Sequence, residues 1–207
     1  MHDFTEIFGA LSWNLLAMVR ELARNTPSLP MTLSVTSARP REGKTFVAQG
    51  LALHAAALGE FRILLVDANF DSPALANRFS GAEKRGLSDA LQEDSAKAEL
   101  LATPFANMFV VGAGRAPRPA LLYREEALQR FIKSTETDVV IFDCGCISPN
   151  RANVVARKAD RVLIVVDSLS TPREAVGDAI RRLRDGARET IWGIVLNKKP
   201  KYALVSE

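Results

Sequence analysis

A lysine and a threonine stand side by side at Lys44 and Thr45, directly after Gly43 and between an apolar run and a helix-forming run. Those residue types at that spacing suit one chemistry, the holding of a phosphate chain and its counter-cation. Backbone N–H groups at the start of a helix point at an anion, and the helix dipole adds partial positive charge. Gly43 lets the backbone approach a phosphate, Lys44 reaches the outer phosphates, and Thr45 offers its hydroxyl to Mg²⁺. Arg39, Pro40, Arg41 and Glu42 stand where glycines are usual in such a loop, and Phe46 follows the threonine. Positions 40–46 are therefore the candidate cradle.

Two further groups could join this chemistry. Ile63-Leu64-Leu65-Val66-Asp67 and Val139-Val140-Ile141-Phe142-Asp143 each run through four apolar residues into an aspartate. A carboxylate at the end of a buried strand beside a phosphate loop can hold Mg²⁺, directly or through water. Alternatively, each aspartate ends its strand or caps the next helix.

The elements that must position these residues follow from the pattern of apolar runs. These fall at 31–36, 62–66, 108–111, 139–142, 161–166 and 191–196, each short, rich in Val, Ile or Leu, and without alternation. Strands buried on both faces read that way. Helical stretches come between them, at about 44–58, 72–79, 119–133, 150–158 and 172–186. The alternation predicts an α/β fold of the P-loop NTPase kind. Its mostly parallel sheet would have about six to seven strands, flanked by helices on both faces. Ligands in such sheets bind at the carboxyl ends of the strands. Residues 3–24 carry apolar side chains at helical spacing, and Asn25–Pro30 is a breaker-rich loop. The chain is read as one nucleotide-binding domain over 1–207, with an N-terminal helix and linker at 1–30, a partly helical excursion at 80–107 and a flexible tail at 198–207.

The bulk numbers narrow the class. A chain of 207 residues, 47% hydrophobic and 25% charged, matches a single globular domain with a sizeable core. The net charge of +3 is mild, and the basic clusters Arg181-Arg182 and Lys198-Lys199 lack interleaved aromatics, so no specific nucleic-acid binding is expected. Cys144 and Cys146 cannot complete a zinc site by themselves. No apolar run approaches the roughly 18 residues of a membrane helix, and the first residues do not read as a signal peptide. The expected location is the cytoplasm.

Three motifs together resemble the bacterial tyrosine kinase family, P-loop proteins that control capsule and exopolysaccharide export. Thr36–Thr45 resembles that family's variant Walker A loop, including the proline and Glu42-Gly43-Lys44. Ile63–Pro73 resembles its second, family-defining A′ motif, and Val139–Asp143 its Walker B. Gly86–Leu91 and Pro117–Leu122 add weaker echoes. The resemblance implies ATP or ADP with Mg²⁺ as cofactors. Asp67 would be the catalytic carboxylate or a metal ligand, with Lys44 beside it. Thr45 and Asp143 would be linked to Mg²⁺, and Asn197, in Val195-Leu196-Asn197, would read the base. Arg39 stands where partitioning-type P-loop ATPases carry a lysine that crosses a dimer. It is read either as an arginine finger or as a solvated loop residue.

The chain also departs from that family. The A′ motif usually reads Asp-x-Asp-x-Arg, and here it reads Asp67-Ala68-Asn69-Phe70-Asp71. Asn69 brings no charge to a metal. Walker B usually continues into two prolines; Asp143-Cys144-Gly145-Cys146 reads instead as a flexible turn. The family's ring-forming Glu-x-x-Arg-x-x-Arg becomes Glu6, Gly9 and Ser12, without the arginines. Of two tyrosines, only Tyr202 lies in the tail; Tyr123 falls in a predicted helix. The expectation is an ATP-binding protein that regulates polysaccharide synthesis or export, with weak ATPase and doubtful tyrosine autokinase activity. A membrane-embedded polysaccharide co-polymerase is the expected partner, recruiting it to the inner membrane face, and homo-oligomers are allowed. The alternatives are a partitioning-type ATPase and a non-catalytic, nucleotide-gated binding module.

Overall fold

All six apolar runs form strands. The computed structural model describes Trp13, Asn14, Ala17 and residues 30–79, 85–92, 97–115, 125–147, 154–184 and 191–198. In chain order its elements are β1 (Met31–Ser37), α1 (Lys44–Ala57), β2 (Ile63–Ala68), α2 (Leu75–Arg78), α3 (Leu87–Gln92), β3 (Leu101–Ala102), β4 (Met108–Val111), α4 (Glu125–Lys133), β5 (Val139–Cys146), α5 (Val154–Lys158), β6 (Arg161–Asp167), α6 (Arg173–Arg184) and β7 (Ile191–Asn197). The strands form one sheet in the order β3-β4-β2-β5-β1-β6-β7. Every pairing is parallel except that of β3 with β4. β3 contributes two ladder residues, too few for any period to show in the sequence.

Alternate side chains of each buried strand feed two cores. Leu33, Val35, Ile63 and Leu65 pack under α1 and Leu75 of α2. Leu64, Val66, Val140 and Phe142 pack on the opposite face, under Leu87 and Leu91 of α3 and the inner residues of α4, α5 and α6. Burial on both faces is why these runs show no polar alternation. α1 buries Val47, Ala48, Leu51, Ala52, Ala55 and Ala56; its alanines let the helix backbone come close to the sheet.

The expected turn after Asp143 does not form. β5 continues to Cys146, which pairs with Ser37 of β1 across a register shift, and the Thr36 hydroxyl donates to the Gly145 carbonyl at 2.7 Å. Without prolines, residues 144–146 keep their N–H groups, so the ladder can extend. The N-terminal helix expected at 3–24 lies outside the described residues except for Trp13, Asn14 and Ala17, which are helical and exposed. Tyr123, Tyr202, Glu6, Gly9 and Ser12 also lie outside them.

The segment Gly86–Leu91 has a packing role. The N–H groups of Leu87 and Ser88, at the start of α3, donate to the carbonyls of Gly112 and Ala113, both at 2.9 Å, tying the helix to the chain just after β4. A Cβ on Gly86 would lie 2.2 Å from the Gly112 carbonyl oxygen, a backbone atom that cannot swing away. Gly86→Ala is expected to lower stability by about 1–3 kcal/mol. Urea denaturation measures it, and an unchanged midpoint would mean that this loop is not locked to β4.

Candidate functional site

Strand register assembles the site before any side chain is considered. Asp67 lies opposite Asp143 across β2 and β5, and Asp167 lies opposite Asn197 across β6 and β7. Asp167 and Asn197 end their strands and Asp67 is one residue short of doing so, while Asp143 lies three residues before the end of β5; all four are on the carboxyl side of the sheet. Between them β1 delivers the loop 38–43 and α1. The two pairs thus flank the loop at the centre of the sheet.

The loop is shaped by side chains as much as by glycine. Gly43 has φ of +93° and precedes Lys44, the first residue of α1. A Cβ there would come within 2.1 Å of Asn197 Nδ2, so glycine is required by conformation and by close approach. Arg41 also has positive φ, 64°, although it is not glycine. Glu42 is 2% exposed and organises the loop from inside. Its carboxylate accepts from the Arg39 N–H at 2.7 Å, from the Asp167 N–H at 3.5 Å and from the Thr171 hydroxyl. Its carbonyl accepts from Asn197 Nδ2 at 2.8 Å. Pro40 and the Arg39 side chain point outward and are exposed, as is Phe46. Lys44 is buried and Thr45 half-buried.

Asp143 is the group whose environment is least satisfied. It is fully buried, and neither carboxylate oxygen has a hydrogen-bond partner. Burial pushes its carboxyl up from 3.8 to about 7; the nearby Thr45 hydroxyl pulls down, the Asp67 charge pushes up, and Lys44 and Arg78 pull down. Buried polar groups are nearly always partnered, so such an exception calls for an explanation. The neighbouring Cys144 thiol is fully buried and shifted far upward by desolvation, which leaves it unreactive at neutral pH.

Asp67 is equally buried but accepts three hydrogen bonds. Its Oδ2 accepts from the Ala74 and Leu75 N–H groups at 2.8 and 2.9 Å, capping the start of α2, and its Oδ1 accepts from the Asn69 N–H at 3.1 Å. Burial raises its pKa, opposed by those three amides and by Lys44. Asn69 turns its side-chain amide to the Ser72 carbonyl at 2.9 Å, closing the loop that Asp67 anchors. The helix-cap reading therefore describes Asp67 as it stands. Asp67→Ala is expected to cost about 2 kcal/mol or more of stability by leaving buried amides unpaired. Thermal melting checks it, and an unshifted midpoint would mean that the cap carries no energy. Any activity lost in that variant must be read beside its melt.

Asp167 and Lys198 join the site although neither belongs to the motifs that mark it in the sequence. Asp167 carries the same signal as Asp67 and Asp143, an apolar strand ending in aspartate. Lys198 falls where a tail was expected to begin, but its Nζ donates to Asp167 Oδ2 at 2.7 Å and to the Arg41 carbonyl at 3.1 Å.

The arrangement can accept an anion and a cation together. An anion there would meet the Gly43–Thr45 backbone at the start of α1 and the Lys44 ammonium. An unpartnered, buried carboxylate beside the Thr45 hydroxyl fits a divalent cation with oxygen ligands, so Asp143 and Thr45 meet the chemical requirement for Mg²⁺. Among the described residues, no helix is long and apolar enough to cross a membrane.

No protein-family model matches the chain. It is 29% identical over 174 residues to the succinoglycan biosynthesis transport protein ExoP of Rhizobium meliloti, an alignment covering 80% of this chain and 22% of that protein. It is 27% identical over 172 residues to the tyrosine-protein kinase CpsD of Streptococcus pneumoniae serotype 4, covering 80% of this chain and 75% of that one. Among solved structures, the kinase domain of the Escherichia coli tyrosine kinase ETK superposes with a TM-score of 0.74 at 25% identity, over 86% of this chain and 71% of that one. The cell division ATPase MinD of Pyrococcus furiosus superposes with a TM-score of 0.66 at 22% identity, over 81% and 72%, and shares the fold. The chain thus spans about a fifth of ExoP and about three quarters of the kinase CpsD.

Proposed function

We propose that this chain, a divergent member of the bacterial tyrosine kinase family, binds ATP or ADP with Mg²⁺ at the loop between β1 and α1. In this reading it regulates polysaccharide synthesis or export from the cytoplasm, through a membrane-embedded partner. The observation that carries the reading is Asp143, buried without a partner beside Lys44 and Thr45. A carboxylate in that state is suited to a cation brought in with a nucleotide. When bound, Mg²⁺ supplies positive charge against the phosphates. Lys44 and the first amides of α1 hold the phosphate oxygens, and Thr45 and Asp143 hold the metal. Asn197, already bonded to the Glu42 carbonyl, keeps the base-side wall against the loop. Arg39, exposed on the loop, is available to a phosphate of a neighbouring copy.

The non-catalytic alternative is favoured by one observation. Asp67 is engaged by three backbone amides, and Asn69 stands where the family's second carboxylate would be. Phosphoryl transfer depends on positioning and charge, so weak metal placement can cost orders of magnitude. The expected behaviour is tight nucleotide binding, slow hydrolysis at most, and little or no self-phosphorylation on tyrosine. A phosphate-release assay with phosphotyrosine mapping tests this. Strong label on Tyr202 that disappears in Asp67→Asn would restore an active kinase. Absent nucleotide binding would end the whole reading, and tight binding with no turnover would select the binding module.

A further inference from the structure

Lys198 joins two places that sequence separates widely. Its ammonium bridges Asp167, at the end of β6, and the Arg41 carbonyl, in the loop between β1 and α1. Both residues of the second contact have left-handed backbone, with φ of 64° at Arg41 and 57° at Lys198. Residues with a Cβ seldom hold that conformation unless their surroundings enforce it. A glycine-rich loop would adopt such a shape freely. This loop has one glycine, at its end, and relies on ties from β6 and β7 through Lys198, Asn197 and the Asp167 N–H.

We propose that Lys198, held by Asp167, is a positioning residue that latches the glycine-poor loop in its phosphate-accepting shape. This rests on the reading of that loop as a nucleotide site and adds to it a pair that no motif of the loop contains. Both partners of the ion pair keep their charges across the physiological range. Lys198 foremost, then the Leu169 N–H and the Ser170 hydroxyl, hold the Asp167 carboxyl down to about 2, so the ion pair does not titrate near neutrality. The competing account is that Lys198 only adds positive charge near a polyanion. The two accounts differ in sign at Asp167. Removing a negative charge near an anion site should tighten binding if long-range charge is all that matters. If Asp167 serves to hold Lys198 on the loop, removing its charge should weaken binding.

The test is calorimetric titration of the full chain with ADP and with inorganic pyrophosphate. The variants are Lys198→Met, Lys198→Arg, Asp167→Asn and the double Lys198→Met/Asp167→Asn. The expected result is about tenfold weaker binding of both probes in Lys198→Met and in Asp167→Asn, as for a group displaced from its productive geometry. The double variant should be no weaker than either single, because both break one latch. Lys198→Arg should recover most of the affinity, and melting curves on each variant, in which Asp167→Asn is expected to fall somewhat because its carboxylate also accepts from the Leu169 N–H, confirm that the chain is folded at the titration temperature. Tighter binding in Asp167→Asn, additive losses in the double variant, or unchanged affinity throughout would overturn the latch while leaving the nucleotide site intact. If the wild-type chain takes up neither probe, the nucleotide reading itself fails and the latch with it.

Discussion

Lys44→Ala is expected to weaken ATP and ADP binding about a hundredfold or more, roughly 3 kcal/mol, while the fold survives. The lysine is nearly enclosed, at 8% exposure, and opens α1 just behind the one glycine of the loop. An ammonium there meets the phosphates as a charge-assisted donor. Alanine keeps the helix, having the best helical propensity, but removes the charge. Thr45→Ala should act differently, lowering affinity only when Mg²⁺ is present, because its hydroxyl serves the metal. Calorimetric titrations with and without Mg²⁺ separate the two. Equal affinity in wild type and Lys44→Ala would sink the phosphate-loop assignment. A Thr45→Ala loss that persists without metal would move the threonine from metal holding to loop structure.

Asp143→Asn is expected to stabilise the nucleotide-free protein at about pH 8 while destroying its response to Mg²⁺. The folded chain holds the Asp143 proton up to about pH 7, whereas the ordinary carboxyl value is 3.8. Between those values the folded state binds the proton and the unfolded state has lost it. Stability from this group is therefore present at low pH and is lost as pH rises through that window, by about 4 kcal/mol in all. Asp67 is shifted in the same direction by its burial and adds to the slope. Asp167 is shifted the other way, to about 2, and matters only below about pH 4. Melting curves at about pH 5 and about pH 8 decide the matter. The asparagine variant should exceed wild type by clearly more at the higher pH than at the lower one. A variant less stable than wild type at pH 8 would show that the carboxylate has a partner and is not held for a metal.

Much of this was legible in the sequence because the inner strands of the sheet are buried on both faces, although β7, at the edge, leaves Ile194 and Leu196 exposed. A run such as Ile63–Val66 has one reading when no alternation interrupts it, and a parallel sheet puts the run's last residue at the ligand-binding edge. Asp67, Asp143 and the Gly43–Thr45 corner were visible for that reason. The roles were less legible, because they depend on what each oxygen meets. Asp67 and Asp143 follow near-identical runs, yet one is satisfied by three amides and the other by none. That difference is made by the loop 69–74, whose course no local pattern announces. Asp167 carried the same signal and was overlooked, and Lys198 looked like the first residue of a tail. Both act through contacts more than a hundred residues apart in sequence with Arg41 and Glu42, and charge at a surface gives no hint of such a partner. The missing turn after Asp143 has a simpler cause. Glycine permits a turn but does not demand one, and the free edge of Ser37 offered a better use for those amides.

The three bonds that Asp67 accepts make its site reciprocal. Its Oδ2 serves the Ala74 and Leu75 amides and its Oδ1 serves Asn69, so of four lone pairs only one, on Oδ1, is uncommitted by these bonds. A ligand that draws on Oδ2 must compete with the Ala74 and Leu75 amides for it. Thermodynamic linkage then runs both ways: whatever loosens the start of α2 frees Asp67 for chemistry, and whatever engages Asp67 loosens the start of α2. A contact made by another molecule against α2 would thereby set how much of that carboxylate the candidate site beside Asp143 can use.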